Sequence, residues 1–321
     1  MTYLLLVAGL VGLFFGGEFL VKGAVGIARR FGLSPLVIGL TVVGFGTSSP
    51  ELLVSLQAAF AGSPAIALGN VVGSNIANVL LILGLTAAIA PVGLAFGRLR
   101  RDLAVMVGAT VALWLAILGG TLARPEAAAL AVALVIYLWV AIRGTGAPET
   151  AGGEVGGDTG TGAGETPTEG PAPALGRSVL VTLAGFVVLL VSARLLVTSA
   201  TTIARDLGFS EAVIGLTVVA VGTSLPELAT SVVAAMRRQG DIAVGNVLGS
   251  NIFNILCILG ITGMIAPMQA DARFATLDLP IALGVALLVV AASLALGRLG
   301  RLAGLGFLGG YAAYVVSMAT A

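Results

Sequence analysis

Residue n in the first half of this chain returns at n+176 in the second. From Gly39/Gly215 to Pro91/Pro267 the match runs without a gap and keeps 32 identities in 53 positions. The shared cores read GLTVVGFGTSSPELLVS against GLTVVAVGTSLPELATS, and ALGNVVGSNIANVLLILG against AVGNVLGSNIFNILCILG. Whatever this chain folds into, it uses one supersecondary unit twice.

The solvent for that unit follows from composition. Of 321 residues, 58% are hydrophobic and 10% charged, none is histidine, and the mean hydropathy is +1.10. That pattern excludes a soluble enzyme and reads as an integral membrane protein. Apolar runs between charged or Gly/Pro-rich breaks give ten spans, near 2–27, 35–61, 64–91, 102–121, 126–143, 178–203, 211–236, 242–267, 276–296 and 302–320. Each is near the roughly 20 helical residues that a bilayer core requires. The predicted fold is therefore all-α, with one five-helix repeat at 1–143 and a second at 177–321. An odd number of crossings per repeat inverts the second repeat relative to the first, the plan of many secondary transporters.

Between them, 144–176 turns to Gly, Ala, Thr and Pro with five acids (Glu149, Glu154, Asp158, Glu165, Glu169) and no base. It buries too little apolar surface to offset its ordering entropy, so a disordered spacer is expected, and no EF-hand spacing marks it for calcium. The first run, Met1 to about Val25, is too long for a signal-peptide core and lacks a basic start, so it reads as a retained helix. Cys257 is the sole cysteine, which leaves no disulfide or thiolate metal site, and no basic patch with interleaved aromatics points to nucleic acid. Eleven arginines (29, 30, 98, 100, 101, 143, 177, 237, 238, 298, 301) follow odd-numbered spans, against three (124, 205, 273) on the other face. The positive-inside bias places the linker in the cytoplasm and both termini outside a cell (inner) membrane.

Two carboxylates fall in mid-span, Glu51 and Glu227, where an ionised group costs several kcal/mol unless something offsets it. Each follows a proline. Pro50 and Pro226 cannot donate to the carbonyls of Gly46 and Gly222, which are thereby freed, and the second and seventh spans are expected to break there. The third and eighth spans are expected to be broken as well. Thr47, Glu51 and Ser55 share a helix face, as do Thr223, Glu227 and Ser231, with Ser48 and Ser224 one residue further round. Ser74 with Asn78, and Ser250 with Asn254, project likewise from the third and eighth spans. The inventory is all hard oxygen, suited to Ca²⁺ or Na⁺ rather than to transition metals. Gly69/Gly73 and Gly245/Gly249 read as helix-packing pairs. Asn70 and Asn246 are either caps or supports to the site, and Glu18 with Lys22 is expected to pair within the first span.

The doubled GTSSPE/GTSLPE and GNVVGSNIAN/GNVLGSNIFN segments strongly resemble the two alpha-repeats of the sodium/calcium exchangers, of prokaryotic type, within the cation/calcium antiporter superfamily. The resemblance covers both repeats but not the linker. It implies a Na⁺-driven Ca²⁺ antiporter with four central ion sites, in which Glu51 and Glu227 match the main ligands. Thr47, Ser48, Thr223, Ser224, Ser74, Ser250, Asn78 and Asn254 match the supporting oxygen ligands. Spans one and six match the long pair that slides across a rigid core. Asn254 stands where potassium-dependent relatives and some archaeal exchangers carry Asp, which argues against potassium co-transport, and nothing in the linker resembles the calcium-sensing domains of animal exchangers. Na⁺ and Ca²⁺ are the expected transported partners within the lipid bilayer, with no cofactor, no enzymatic activity and no obligatory protein partner. Alternatives are a Ca²⁺/H⁺ or other divalent-cation antiporter on the same scaffold, and a passive cation channel. An intramembrane hydrolase using Ser48 or Ser224 lacks a base.

Overall fold

The computed structural model describes residues 1–63, 65–143, 174–207 and 222–319. The predicted linker up to 173 and the first half of the seventh span, 211–221, lie outside the described residues.

The helices are α1 (Thr2–Phe31), α2 (Pro35–Thr47), α3 (Ser49–Phe60), α4 (Ala65–Ile89), α5 (Phe96–Ile117), α6 (Arg124–Arg143), α7 (Leu175–Asp206), α8 (Leu225–Met236), α9 (Gly240–Ile265), α10 (Phe274–Leu296) and α11 (Arg301–Ala319). Six of them are long and apolar enough to cross a bilayer, and the bent pair α2–α3 makes a seventh span. The difference from the ten expected spans has local causes. Helix α5 opens with Arg98, Arg100, Arg101 and Asp102, α11 opens with Arg301, and the seventh span is described only from Gly222, just before the 12-residue α8.

Glycine sets the most extensive helix contact among the described residues. Helices α1 and α7, of 30 and 32 residues, run antiparallel along one another. Gly9, Gly16 and Gly23, seven residues apart, meet Leu196, Leu189 and Thr182, also seven apart. A Cβ on Gly16 would lie 2.8 Å from the Leu189 nitrogen, and one on Gly23 2.6 Å from the Thr182 nitrogen. The seam therefore tolerates no side chain at these positions, the small-residue logic of helix association in lipid. Helix α1 ends where Gly32 turns left-handed (φ 64°) and donates its N–H to Ala28 O.

Helices α4 and α9 form the centre, and the most hydropathic stretch of α9 is wholly buried. Against α9 rests α2, where Gly245 and Gly249 leave room for the backbone of Leu36 and Leu40, as the packing reading of that pair expects. The expected breaks in the third and eighth spans are absent: α4 and α9 continue through π-helical turns at Asn78–Leu83 and Asn254–Leu259. With no proline inside either helix, the hydrogen-bond ladder widens by one residue instead of parting.

Two short antiparallel ribbons tie the halves together. β1 (Val92–Gly93) pairs with β4 (Arg298–Leu299), and β2 (Thr121–Leu122) pairs with β3 (Met268–Gln269). Asp102, which the sequence placed at a span end, is buried at the start of α5, where it accepts from Arg101 Nε (3.0 Å) and the Tyr137 hydroxyl (3.1 Å). Its repeat counterpart Asp278 is buried beside Arg273.

The expected Glu18–Lys22 pair does not form. Glu18 instead accepts a two-pronged bond from Arg237, whose Nε lies 2.8 Å away. Packing of α1 on α8, with Gly17 against Ala229 O, carries Glu18 to the turn after α8, where a planar guanidinium offers two parallel donors.

Candidate ion-binding site

Pro50 occupies the first turn of α3 and Pro226 the first turn of α8, positions where a missing N–H costs nothing. The backbone turns at Ser48 (φ −80°, ψ 5°) and matchingly at Ser224 (φ −89°, ψ 7°). Helices α2 and α3 meet at a 42° bend. Glu51 therefore lies in the first turn of α3 and Glu227 in the first turn of α8, where unpaired N–H groups favour a carboxylate. Gly46 sits at the bend where a Cβ would run into the Phe186 ring, and Gly222 where one would meet Val197, so α7 crosses both breaks.

Neither serine caps its own helix. Ser48 donates its hydroxyl to Glu227 Oε1 (3.2 Å) and Ser224 donates to Glu51 Oε1 (3.2 Å), so each repeat serves the other's carboxylate. Both glutamates are fully buried. Thr47 bonds Asn246 Oδ1 at 3.0 Å, and Ser250 donates to Gly44 O at 3.4 Å. Ser74 is buried on α4, while Thr223 is half-buried with its hydroxyl unpartnered. Asn70 and Asn246, ambiguous in the sequence, prove to be supports: each donates to the backbone carbonyl of its repeat's glutamate (3.3 and 3.2 Å) and to Ser55 or Ser231.

The π-helical turn at Asn78 packs on α8 and the one at Asn254 packs on α3. These contacts bring the two amides to the half-helices that carry the carboxylates. Four oxygens there, Glu51 Oε2, Glu227 Oε2, Asn78 Oδ1 and Asn254 Oδ1, are buried with no hydrogen-bond partner. Buried polar atoms are nearly always satisfied, and leaving four such atoms bare in one place is costly. Oxygen atoms without a proton donor are what a hard cation takes. Among the described residues no group of three or more His, Cys, Asp or Glu forms a metal cluster, so any cation here meets two formal charges and neutral oxygens.

The family described as sodium/calcium exchanger protein matches residues 1–143 and 177–320. This chain belongs to the sodium/calcium exchanger family. Its relatives include the sodium/calcium exchanger MaX1 of Methanosarcina acetivorans, 30% identical over 90% of this chain and 90% of that one. The inner membrane protein YrbG of Escherichia coli (strain K12) is 37% identical over 83% of this chain and 81% of its own length. A solved structure of the sodium-calcium exchanger NCX_Mj superposes with a TM-score of 0.83, 31% identity, and coverage of 99% of this chain and 98% of that one. The family is one of transporters, and the chain is a multi-pass membrane protein, not an enzyme.

For this family member the structure adds two residues that the motifs did not single out. Asn75 and Asn251 neighbour Ser74 and Ser250 and point across to the opposite repeat, where each donates to the other's backbone carbonyl (3.1 and 3.3 Å). The doubling at 75 and 251, three residues before Asn78 and Asn254, was the available signal.

Proposed function

We propose that the chain is a secondary active antiporter that exchanges Na⁺ for Ca²⁺ by alternating access, electrogenically and without K⁺. The observation that carries this reading is the set of four buried, unpartnered oxygens on Glu51, Glu227, Asn78 and Asn254. The cations bound there are the transported substrates. Thr47, Ser48, Ser74, Thr223, Ser224, Ser250 and the carbonyls of Gly46 and Gly222 supply further oxygens around them.

Charge arithmetic links the site to the exchange. Two carboxylates are neutralised by one Ca²⁺ or by two Na⁺, and a third Na⁺ makes the loaded carrier positive. An empty site with two bare carboxylates is too costly to reorient, so only loaded states cross, which is the condition for antiport. Each net charge moved is worth about 2.3 kcal/mol per 100 mV.

Ten spans in two inverted repeats accommodate the described contacts. The first helices of the two repeats, α1 and α7, run antiparallel. Each ribbon pairs two loops that the arginine bias puts on one face: β1 and β4 follow the third and ninth spans, β2 and β3 the fourth and eighth. With the arginine-rich face cytoplasmic, both termini lie outside the inner membrane. NCX_Mj and MaX1, named as sodium/calcium exchangers, support the choice of Na⁺ as the driving ion.

The test is ⁴⁵Ca²⁺ uptake into proteoliposomes preloaded with Na⁺, K⁺ or acidic buffer at a clamped potential. Uptake that needs internal Na⁺, ignores K⁺ and grows as the interior is made more negative is the expected result. Uptake driven only by an acid interior would transfer the chain to proton-coupled exchange, and flux without a counter-ion would make it a channel.

A further inference from the structure

An asparagine ligates a cation only when its oxygen, not its NH₂, faces the ion, and the two ends of the amide have nearly the same shape. Something must break that tie at Asn78 and Asn254. Asn78 Nδ2 donates to Asn251 Oδ1 at 3.0 Å, and Asn254 Nδ2 donates to Asn75 Oδ1 at 2.9 Å. Each donation leaves the donor's own Oδ1, on Asn78 or Asn254, as one of the unpartnered buried atoms at the site.

Asn75 and Asn251 are in turn fixed themselves. Asn75 Nδ2 bonds the Asn251 carbonyl (3.1 Å), while Asn251 Nδ2 bonds the Asn75 carbonyl (3.3 Å) and approaches Met106 Sδ (3.7 Å). With both amide nitrogens committed to backbone oxygens, their Oδ1 atoms are the ends left to accept. A flip of Asn251 would set its NH₂ against that of Asn78 and strip the Asn75 carbonyl of a donor. All four side chains are at least nine-tenths buried, so no water competes for these bonds.

We infer that Asn75 and Asn251 are positioning residues that hold the amides of Asn254 and Asn78 oxygen-first toward the transported cation. The inference rests on the cation site proposed above. Each ligand is oriented from the opposite repeat, so both amides belong to one unit made of α4 and α9. The α1–α7 pair makes none of these bonds.

The orientation argument has a particular consequence: aspartate has two oxygens and needs no orienting. Equilibrium ⁴⁵Ca²⁺ binding, with ²²Na⁺ binding in parallel, would be measured on the full-length purified protein. Asn251→Leu is expected to weaken binding by about tenfold or more, because the Asn78 amide then turns freely. In an Asn78→Asp background the same Asn251→Leu change is expected to cost less than about threefold, the non-additivity that marks a shared role. A residue that merely packs α4 on α9 would cost the same in both backgrounds, and that result, or wild-type binding by Asn251→Leu alone, overturns the inference. Asn75→Leu with Asn254→Asp repeats the cycle from the other repeat and decides it if Asn251→Leu does not fold. Wild-type protein that binds calcium but fails to exchange it would end the antiport reading while the cycle still reports on amide orientation. Wild-type protein that binds neither ion overturns both.

Discussion

Thr47 and Thr223 hold matching places in the two repeats, one turn before the glutamate, and their surroundings differ. Thr47 is fully buried and its hydroxyl bonds Asn246 across the molecule. Thr223 is half-buried, its hydroxyl bonds nothing, and it borders a cavity of about 460 Å³ between α7 and the start of α3. On the Thr47 side α1 lies against α8, with the backbone of Gly17 close to Ala229 and Val233. On the Thr223 side Arg194, Val197 and Thr198 of α7 stand across the cavity from Ser49, Pro50 and Leu53. Near-identical sequence therefore occupies a closed environment in one repeat and an open one in the other. The chemistry of the site is symmetric, and the packing around the two threonines is not.

The sharpest way to break this comparison is at the carboxylates. Because the site is shared, Glu51→Gln and Glu227→Gln are both expected to depress ⁴⁵Ca²⁺ exchange by about 100-fold or more, since each removes half the charge facing a buried cation. A variant that kept wild-type exchange would show that its repeat does not contribute to the site.

The two threonines come next. Thr47→Val leaves the Asn246 oxygen without its donor, an expected loss of about 1–3 kcal/mol in thermal unfolding measured without cations. Thr223→Val removes a hydroxyl with no protein partner and should unfold within about 0.5 kcal/mol of the wild type. Equal losses would mean that the asymmetry does not persist in solution.

Arg194 lines the cavity beside Thr223. On the proposal that calcium enters by this cavity, its charge opposes the cation, and Arg194→Gln is expected to lower the calcium concentration for half-maximal exchange by about two- to fivefold at low ionic strength, and by less in high salt. A salt-independent change would point to packing rather than charge. The smallest effect is expected from Glu18→Gln. The pair with Arg237 is solvent-exposed on the arginine side, and such pairs contribute less than about 1 kcal/mol.

What the sequence made legible tracks what was doubled and periodic. The break before Pro50 follows from residue chemistry, and the structure bends there; the bonds from Ser48 and Ser224 to the opposite repeat's glutamate were not legible in the sequence. Side-chain partners from distant segments were less accessible. Glu18 and Lys22 are four apart on one helix, but tertiary packing supplied Arg237, 219 residues away, and a bidentate pair formed instead. The third and eighth spans were expected to be broken and instead run on through π-helical turns at Asn78 and Asn254, a distinction that depends on ladder geometry rather than composition. Asp102 and Asp278 looked like ordinary span-end acids, and their burial depends on Tyr137, Arg101 and Arg273 reaching them.

The ribbons and the glycine seam bear on how such a chain is assembled. Neither half closes a ribbon alone: β1 waits for β4 and β2 for β3, while the glycines of α1 fit the surface of α7. Severing the chain in the segment between Arg143 and Ala174 cuts neither ribbon nor seam. Two half-length polypeptides made separately in one membrane carry complementary edges. They are expected to find each other and rebuild a working transporter.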